Sequence, residues 1–129
     1  MQTKLLLVIP GKPPSENHMW YYRQTKKRGM LKILRPEAKA WFEQTKLIAR
    51  MQAREQGWTV PEKGKWVKLR MKFYFPNRNH PDPSNTLKVF LDALEGEVYT
   101  NDKWVLVDLL KPEFDKENPR TEIEVEVLG

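Results

Sequence analysis

The sequence contains no cysteine. That excludes a disulfide framework, a thiolate zinc site, an iron–sulfur cluster and a cysteine nucleophile. It suits a reducing compartment, the cytoplasm. Only two histidines are present, His18 and His80, too few for a histidine-rich zinc centre. The six glycines never gather into a phosphate-binding loop. Long apolar runs are also missing. The longest, Leu5 to Ile9, falls far short of the ~20 residues that span a bilayer. Met1 to Lys4 lack the apolar stretch and cleavage site of a signal peptide.

What is present is a chain of 129 residues, the length of one domain, with a globular balance of charged and hydrophobic residues. Its charge is lopsided. Lys and Arg number 23 against 17 Asp and Glu, giving +6. A domain this basic attracts polyanions, nucleic acid before membrane. The excess is concentrated: residues 10 to 35 hold Lys12, Arg23, Lys26, Lys27, Arg28, Lys32 and Arg35 against the single acid Glu16. Trp20-Tyr21-Tyr22 sits among them, and bases interleaved with aromatics suit phosphate contacts and stacking on exposed nucleobases. The plainer reading makes Trp20 and Tyr22 core residues of a hairpin and the lysines a solvated turn.

The chain reads as α+β, a mixed β-sheet with two helices packed on it. Lys4 to Ile9 reads as a buried strand closed by Pro10-Gly11. Residues 18 to 35 form an irregular or hairpin segment. A helix is expected from 36 to 56, with Pro36 in its first turn, a stripe of Ala38, Trp41, Phe42, Thr45, Ile48, Ala49 and Gln52, and Gly57 beyond its end. Lys39, Glu43, Lys46 and Arg50 fall outside that stripe. Lys65 to Phe75 alternates as a half-buried strand. A second helix follows over about 83 to 95, then strands over 104 to 110 and 121 to 127.

The second helix holds the chemistry. At 100° per residue Asn85, Lys88 and Asp92 share one face, while Leu87, Phe90, Leu91 and Leu94 form the buried stripe. Asp82 stands at the helix start and Asn101-Asp102 just past the following turn, so Asp102 is expected to fold back beside Asp82. Carboxylates gathered this way hold a hard cation such as Mg²⁺. Such an ion activates water and stabilises charge on a phosphodiester, and Lys88 stands ready to neutralise a phosphate. Each residue also has an ordinary use: Asp82-Pro83 as a helix start, Lys88 with Asp92 as an i, i+4 pair, Asn101-Asp102 as a turn, His80 as a loop residue.

Taken together, Ile9-Pro10-Gly11-Lys12-Pro13-Pro14-Ser15-Glu16-Asn17, Phe75-Pro76-Asn77-Arg78, the run Asp82-x-x-Asn85-x-x-Lys88-x-x-x-Asp92-Ala93-Leu94, and Asn101-Asp102 resemble the RusA family of Holliday-junction resolvases over nearly the whole length. The resemblance implies a homodimeric, Mg²⁺-dependent endonuclease that binds four-way DNA junctions and nicks two opposed strands. It implies Asp82 and Asp102 as metal carboxylates and Lys88 as the catalytic lysine. Asn85 and Asp92 match motif positions, Asp92 as a further metal candidate, and Asn17 matches the N-terminal motif beside the DNA. With Asn85, the bases Arg23, Lys26, Lys27 and Arg28 are the expected DNA contacts. One departure stands out. The family's second motif aspartate is Ser84 here, and the first of its later Asp pair is Asn101. A serine hydroxyl is a poor Mg²⁺ ligand, so the alternative is a junction-binding protein with weakened or absent cleavage, unless Asp92, Glu95 or Glu97 takes the lost place. A third possibility is a single-strand-binding module with Trp20 and Tyr21 as stacking platforms.

Overall fold

The structure, a computed structural model, describes residues 3–15 and 18–129; Asn17, expected beside the DNA, lies outside them. Its five-stranded sheet has the order β1-β7-β4-β5, formed by β1 (Lys4–Pro10), β7 (Arg120–Val127), β4 (Val67–Phe75) and β5 (Val105–Leu109). The two-residue β6 (Glu113–Phe114) also pairs with β4. β4 runs antiparallel to β7 and parallel to β5, so the sheet is mixed. The helices are α1 (Pro36–Glu55) and α2 (Pro83–Leu94). Between β1 and α1 a separate two-stranded hairpin, β2 (Trp20–Thr25) with β3 (Gly29–Leu34), stands off the main sheet.

One continuous core joins the inward residues of the sheet (Leu5, Leu7, Leu69, Phe73, Ile123 and Val125 among them) to Ala49 and Ala53 of α1 and Phe90 and Leu94 of α2. Trp41 of α1 meets Phe90 edge-on, ring centres 5.0 Å apart, the geometry aromatic quadrupoles favour. The helices thus cover one face of the sheet, and this corrects the expectation of a fully buried first strand. β1 alternates: Leu5, Leu7 and Ile9 are buried, whereas Leu6 and Val8 are 60% and 43% exposed. An apolar run looks the same in sequence whether one or two layers cover it. The outer face is instead a ladder of charge, with Glu122, Glu124 and Glu126 of β7 opposite Lys72, Arg70 and Lys68 of β4. Opposite charges facing each other across strands stabilise such a face.

α1 lies along the free edge of β1. The Gln56 amide accepts from Leu6 N at 2.9 Å and donates to Leu6 O at 2.7 Å. Gln52 does the same at Val8, with both distances 2.8 Å. Two side-chain amides one helical turn apart thereby supply the partners that a neighbouring strand would give. Gly57, at φ +70°, ends α1, and the buried Trp58 behind it donates its indole N–H to Val98 O at 3.0 Å. That bond ties the end of α1 to the turn after α2.

Replacing both Gln52 and Gln56 by methionine strips four hydrogen bonds from β1 and leaves its backbone groups to water. We expect a loss of roughly 2–6 kcal/mol at about 0.5–1.5 kcal/mol per bond, read as a lower urea midpoint. Thr121→Val should act in the opposite direction. The buried Thr121 hydroxyl has no hydrogen-bond partner among the described residues, so the isosteric methyl is expected to raise stability by about 1 kcal/mol in the same assay.

Candidate active site

α2 opens as its sequence suggests. Asp82 is the N-cap; its Oδ1 accepts from Ser84 N and from Ser84 Oγ, both at 3.0 Å, and Pro83 takes the first turn. Ser84 therefore donates its hydroxyl proton into Asp82. One turn on, Lys88 Nζ lies 3.7 Å from Asp92 Oδ1, with the lysine side chain 60% exposed. Asn85 is half-buried in the first turn. So Asn85, Lys88 and Asp92 do share one face of α2, while the buried side is Thr86, Val89, Phe90, Ala93 and Leu94, with Leu87 and Leu91 of the expected stripe only half-buried.

The turn after α2 is tightly built. Gly96, at φ +88°, donates its N–H to Tyr99 O at 2.7 Å. The buried Tyr99 sends its hydroxyl back to Leu91 O. Glu95 Oε1 accepts from Asp102 N at 3.1 Å, and Asn101 caps a single 3₁₀ turn (Asp102–Trp104) by accepting from Lys103 N at 2.8 Å. Asp102 is thus held at the C-terminal end of α2 beside Glu95, while Asp82 caps the opposite end; this corrects the expectation that Asp102 folds back beside Asp82, because β4 and β5 run parallel and α2 carries the chain the length of the sheet between them. Burial pushes the Tyr99 hydroxyl far above its ordinary range, and the charges of Asp102, Glu95 and Asp92 push it the same way.

The two other acids named as replacements for the missing aspartate separate here. Glu95 belongs to this cluster. Glu97 is committed elsewhere, accepting from Arg50 Nε at 3.0 Å and from Arg50 NH2 at 2.8 Å. That bidentate bond holds the Glu97 carboxyl below its ordinary value, against the opposing effect of burial.

A residue that sequence spacing assigned to the solvated face of α1 proves central. Lys46 is half-buried, and its Nζ donates to the carbonyl oxygens of Asp92, Ala93 and Glu95 at 3.4, 3.3 and 3.3 Å. A cation placed on the last carbonyls of a helix offsets its dipole. The signal available in sequence was weak: α2 has no basic residue of its own in its last turn, so the charge comes from a neighbour.

Among the described residues no group of three or more histidine, aspartate or glutamate side chains is gathered closely enough to hold a metal ion. A complete carboxylate cage is therefore not preformed. The donors present fit the other way Mg²⁺ binds, through one or two carboxylates, with water and substrate phosphate completing the octahedron.

The expected DNA-contacting bases lie on the hairpin. Arg23 is on β2 and Lys26, Lys27 and Arg28 form its tip, all exposed. Thr25 braces the tip by donating to Gly29 O at 2.8 Å and accepting from Arg28 N at 3.1 Å. The core reading of the aromatics holds for one of the two. Trp20 packs at the root against Met19, Ala38 and Val89 with Lys32 Nζ 4.5 Å over its ring, whereas Tyr22 is 64% exposed.

These features define a small, basic α+β protein with carboxylates at both ends of α2 and an exposed cationic hairpin. The chain belongs to the RusA endodeoxyribonuclease family, whose model matches residues 10–126, so it is of the Holliday-junction resolvase class of nucleases. A search of curated proteins finds no match. No helix among the described residues is long and apolar enough to cross a membrane.

Lys46→Met removes the ammonium from three carbonyls and is expected to cost about 1–3 kcal/mol, the range for hydrogen bonds to a charged group. Tyr99→Phe should cost about 1 kcal/mol. Denaturant unfolding of each variant checks both values. The Arg50–Glu97 pair gives a pH signature. Because the folded-state carboxyl of Glu97 is depressed, its contribution is fully present above the ordinary value of 4.5 and lost as pH falls through the lower folded value. Glu97→Gln is expected to flatten that acid limb of the stability profile.

Proposed function

We propose that the protein is a Mg²⁺-dependent, homodimeric endonuclease that resolves four-way DNA junctions in the cytoplasm. The observation that carries the reading is the family match over residues 10–126, supported by Lys88 and Asp92 paired on one face of α2 and by Asp102 held at Glu95 just past the end of that helix. Asp102, with Asp92 as an adjoining carboxylate, is the proposed Mg²⁺ ligand at the C-terminal end of α2; Asp82 stands at the opposite end of the same helix, so in this reading it joins the ion of the partner subunit across the dimer rather than that of its own chain. When bound, the ion supplies an activated water and neutralises charge on the phosphodiester oxygens. The protein's own groups do the rest. Arg23, Lys26, Lys27 and Arg28 draw in the backbone, and Asn85 contacts it from the first turn of α2. Lys88, paired only loosely with Asp92, is free to turn its ammonium to the scissile phosphate and offset the charge that develops there. Tyr99 stays neutral, so the carboxylates around it keep their charge for the ion. Two such sites related by a two-fold axis match the symmetry of a four-way junction and require an isologous dimer.

A second reading, binding with weak or no cleavage, is supported by Ser84. Its hydroxyl is turned into Asp82 where the family has a carboxylate, and the described residues hold no three-acid group.

A synthetic junction with Mg²⁺ separates the two. Nicking by the wild type, reduced at least 100-fold in Asp82→Asn and Asp102→Asn with binding retained, is the result the nuclease reading expects. Cleavage undiminished in both variants would place the chemistry elsewhere. Tight binding without nicking, converted to nicking by Ser84→Asp, identifies the weakened form. Reversing Lys26, Lys27 and Arg28 to glutamate is expected to weaken binding and flatten the slope of log K against log salt by up to three units, about one for each phosphate contact.

A further inference from the structure

The hairpin that carries the cationic tip has two unlike faces. Side chains alternate along a strand, so Trp20, Tyr22 and Gln24 of β2 stand on one face with their partners Leu34, Lys32 and Met30 of β3, and Tyr21 and Arg23 stand on the other with Ile33 and Leu31. At the root, Trp20 and Leu34 seat the first face on the buried cluster of Met19, Ala38 and Val89. Further out that support ends: Tyr22 is 64% and Met30 61% exposed. The three consecutive aromatics also differ in what covers them. Lys32 Nζ lies 4.5 Å from the ring centre of Trp20, and the Arg35 guanidinium 5.9 Å from that of Tyr21. Among the described residues no ring or cation lies against Tyr22. Trp20 and Tyr21, the platforms that the sequence suggested, are thus the two already covered.

Val89 locates the hairpin. On α2 it lies about 40° round from Asn85 at 100° per residue, next to the face that Asn85 shares with Lys88 and Asp92. The root of the hairpin therefore lies on the flank of that polar face. Tyr22 is two residues beyond Trp20, about 7 Å along the strand, and Met30 is its diagonal neighbour across the pair. Residues 18 to 36 hold Arg23, Lys26, Lys27, Arg28, Lys32 and Arg35 and no aspartate or glutamate. An uncovered ring on this segment is surrounded by groups that attract phosphate.

We propose that Tyr22, with Met30 beside it, stacks on a nucleobase exposed at the branch point of the DNA. Inside a continuous duplex the faces of each base are covered by its neighbours. At a branch the stack is interrupted, and a base there presents a face that an aromatic ring covers whatever the sequence. The phosphates of branched and linear DNA carry the same charge, so the lysines and arginines position the backbone without distinguishing the two. Tyr22 supplies that distinction. The inference rests on the junction reading for its substrate, but its test does not depend on cleavage.

The experiment measures binding with Ca²⁺ in place of Mg²⁺, on junctions, linear duplexes of equal length and single strands. The fluorescent base 2-aminopurine replaces each base flanking the branch in turn. Tyr22→Ala, Tyr22→Trp and Tyr21→Ala are compared with the wild type, and their melting temperatures report any loss of fold. We expect Tyr22→Ala to weaken junction binding about tenfold, to leave duplex binding as it was, and to keep the wild-type slope of log K against log salt, because no charge is lost. At one labelled position the emission should be lower in the wild-type complex than in the Tyr22→Ala complex, since stacking on the ring quenches it. Tyr22→Trp should restore affinity and quenching, and Tyr21→Ala should change neither. Equal weakening on junction and duplex, or the same emission in the wild-type and Tyr22→Ala complexes at every position, overturns the inference. A wild type without preference for junctions, whose single-strand binding is weakened by Tyr22→Ala, would overturn the junction reading and leave the stacking contact standing.

Discussion

The hydroxyl of Tyr99, turned back onto the carbonyl of Leu91, sets the geometry of the acidic end of α2. It closes the turn that brings Asp102 beside Glu95, and burial, with the charges of Asp102, Glu95 and Asp92, keeps that hydroxyl protonated. Lys46 works from the opposite side, its ammonium on three carbonyls of the same helix end. A cation outside and a phenol inside permit a concentration of negative charge on an otherwise basic protein.

The same logic divides the molecule's surface. The outer face of the sheet is locally neutral, because each glutamate of β7 has a base opposite it on β4. The hairpin has no such balance, and its excess of positive charge projects away from the core. The family match over residues 10–126 gives that arrangement its setting, and Ser84 bound to Asp82 gives it its individual character.

Much of this was legible in the sequence where a residue's role depends on its own neighbours along the chain. The stripe of α1, the alternation of β4 and the cap formed by Asp82 follow from spacing and local hydrogen bonding, and each stands in the structure. What spacing did not reveal was set by tertiary contact. Leu6 and Val8 look as buried as Leu5 and Leu7 until the number of layers is known. Lys46 looks solvated until α2 is laid against α1. Glu95 and Glu97, two residues apart, look interchangeable until one meets Asp102 and the other Arg50. The two residues of β6 are too few to carry a periodic signal.

The amide pairs from Gln52 and Gln56 to β1 bear on how the chain acquires its shape. β1 has a single strand neighbour, β7, and the pairing joins Pro10 to Arg120. A ribosome therefore releases the first strand long before its partner exists. α1 emerges far sooner, and its two glutamines mimic the missing ladder at Leu6 and Val8. Helix and strand can dock as an early unit, with the outward hydrogen bonds of β1 already satisfied. β7 then enters last, as the piece that locks a prepared slot between β1 and β4.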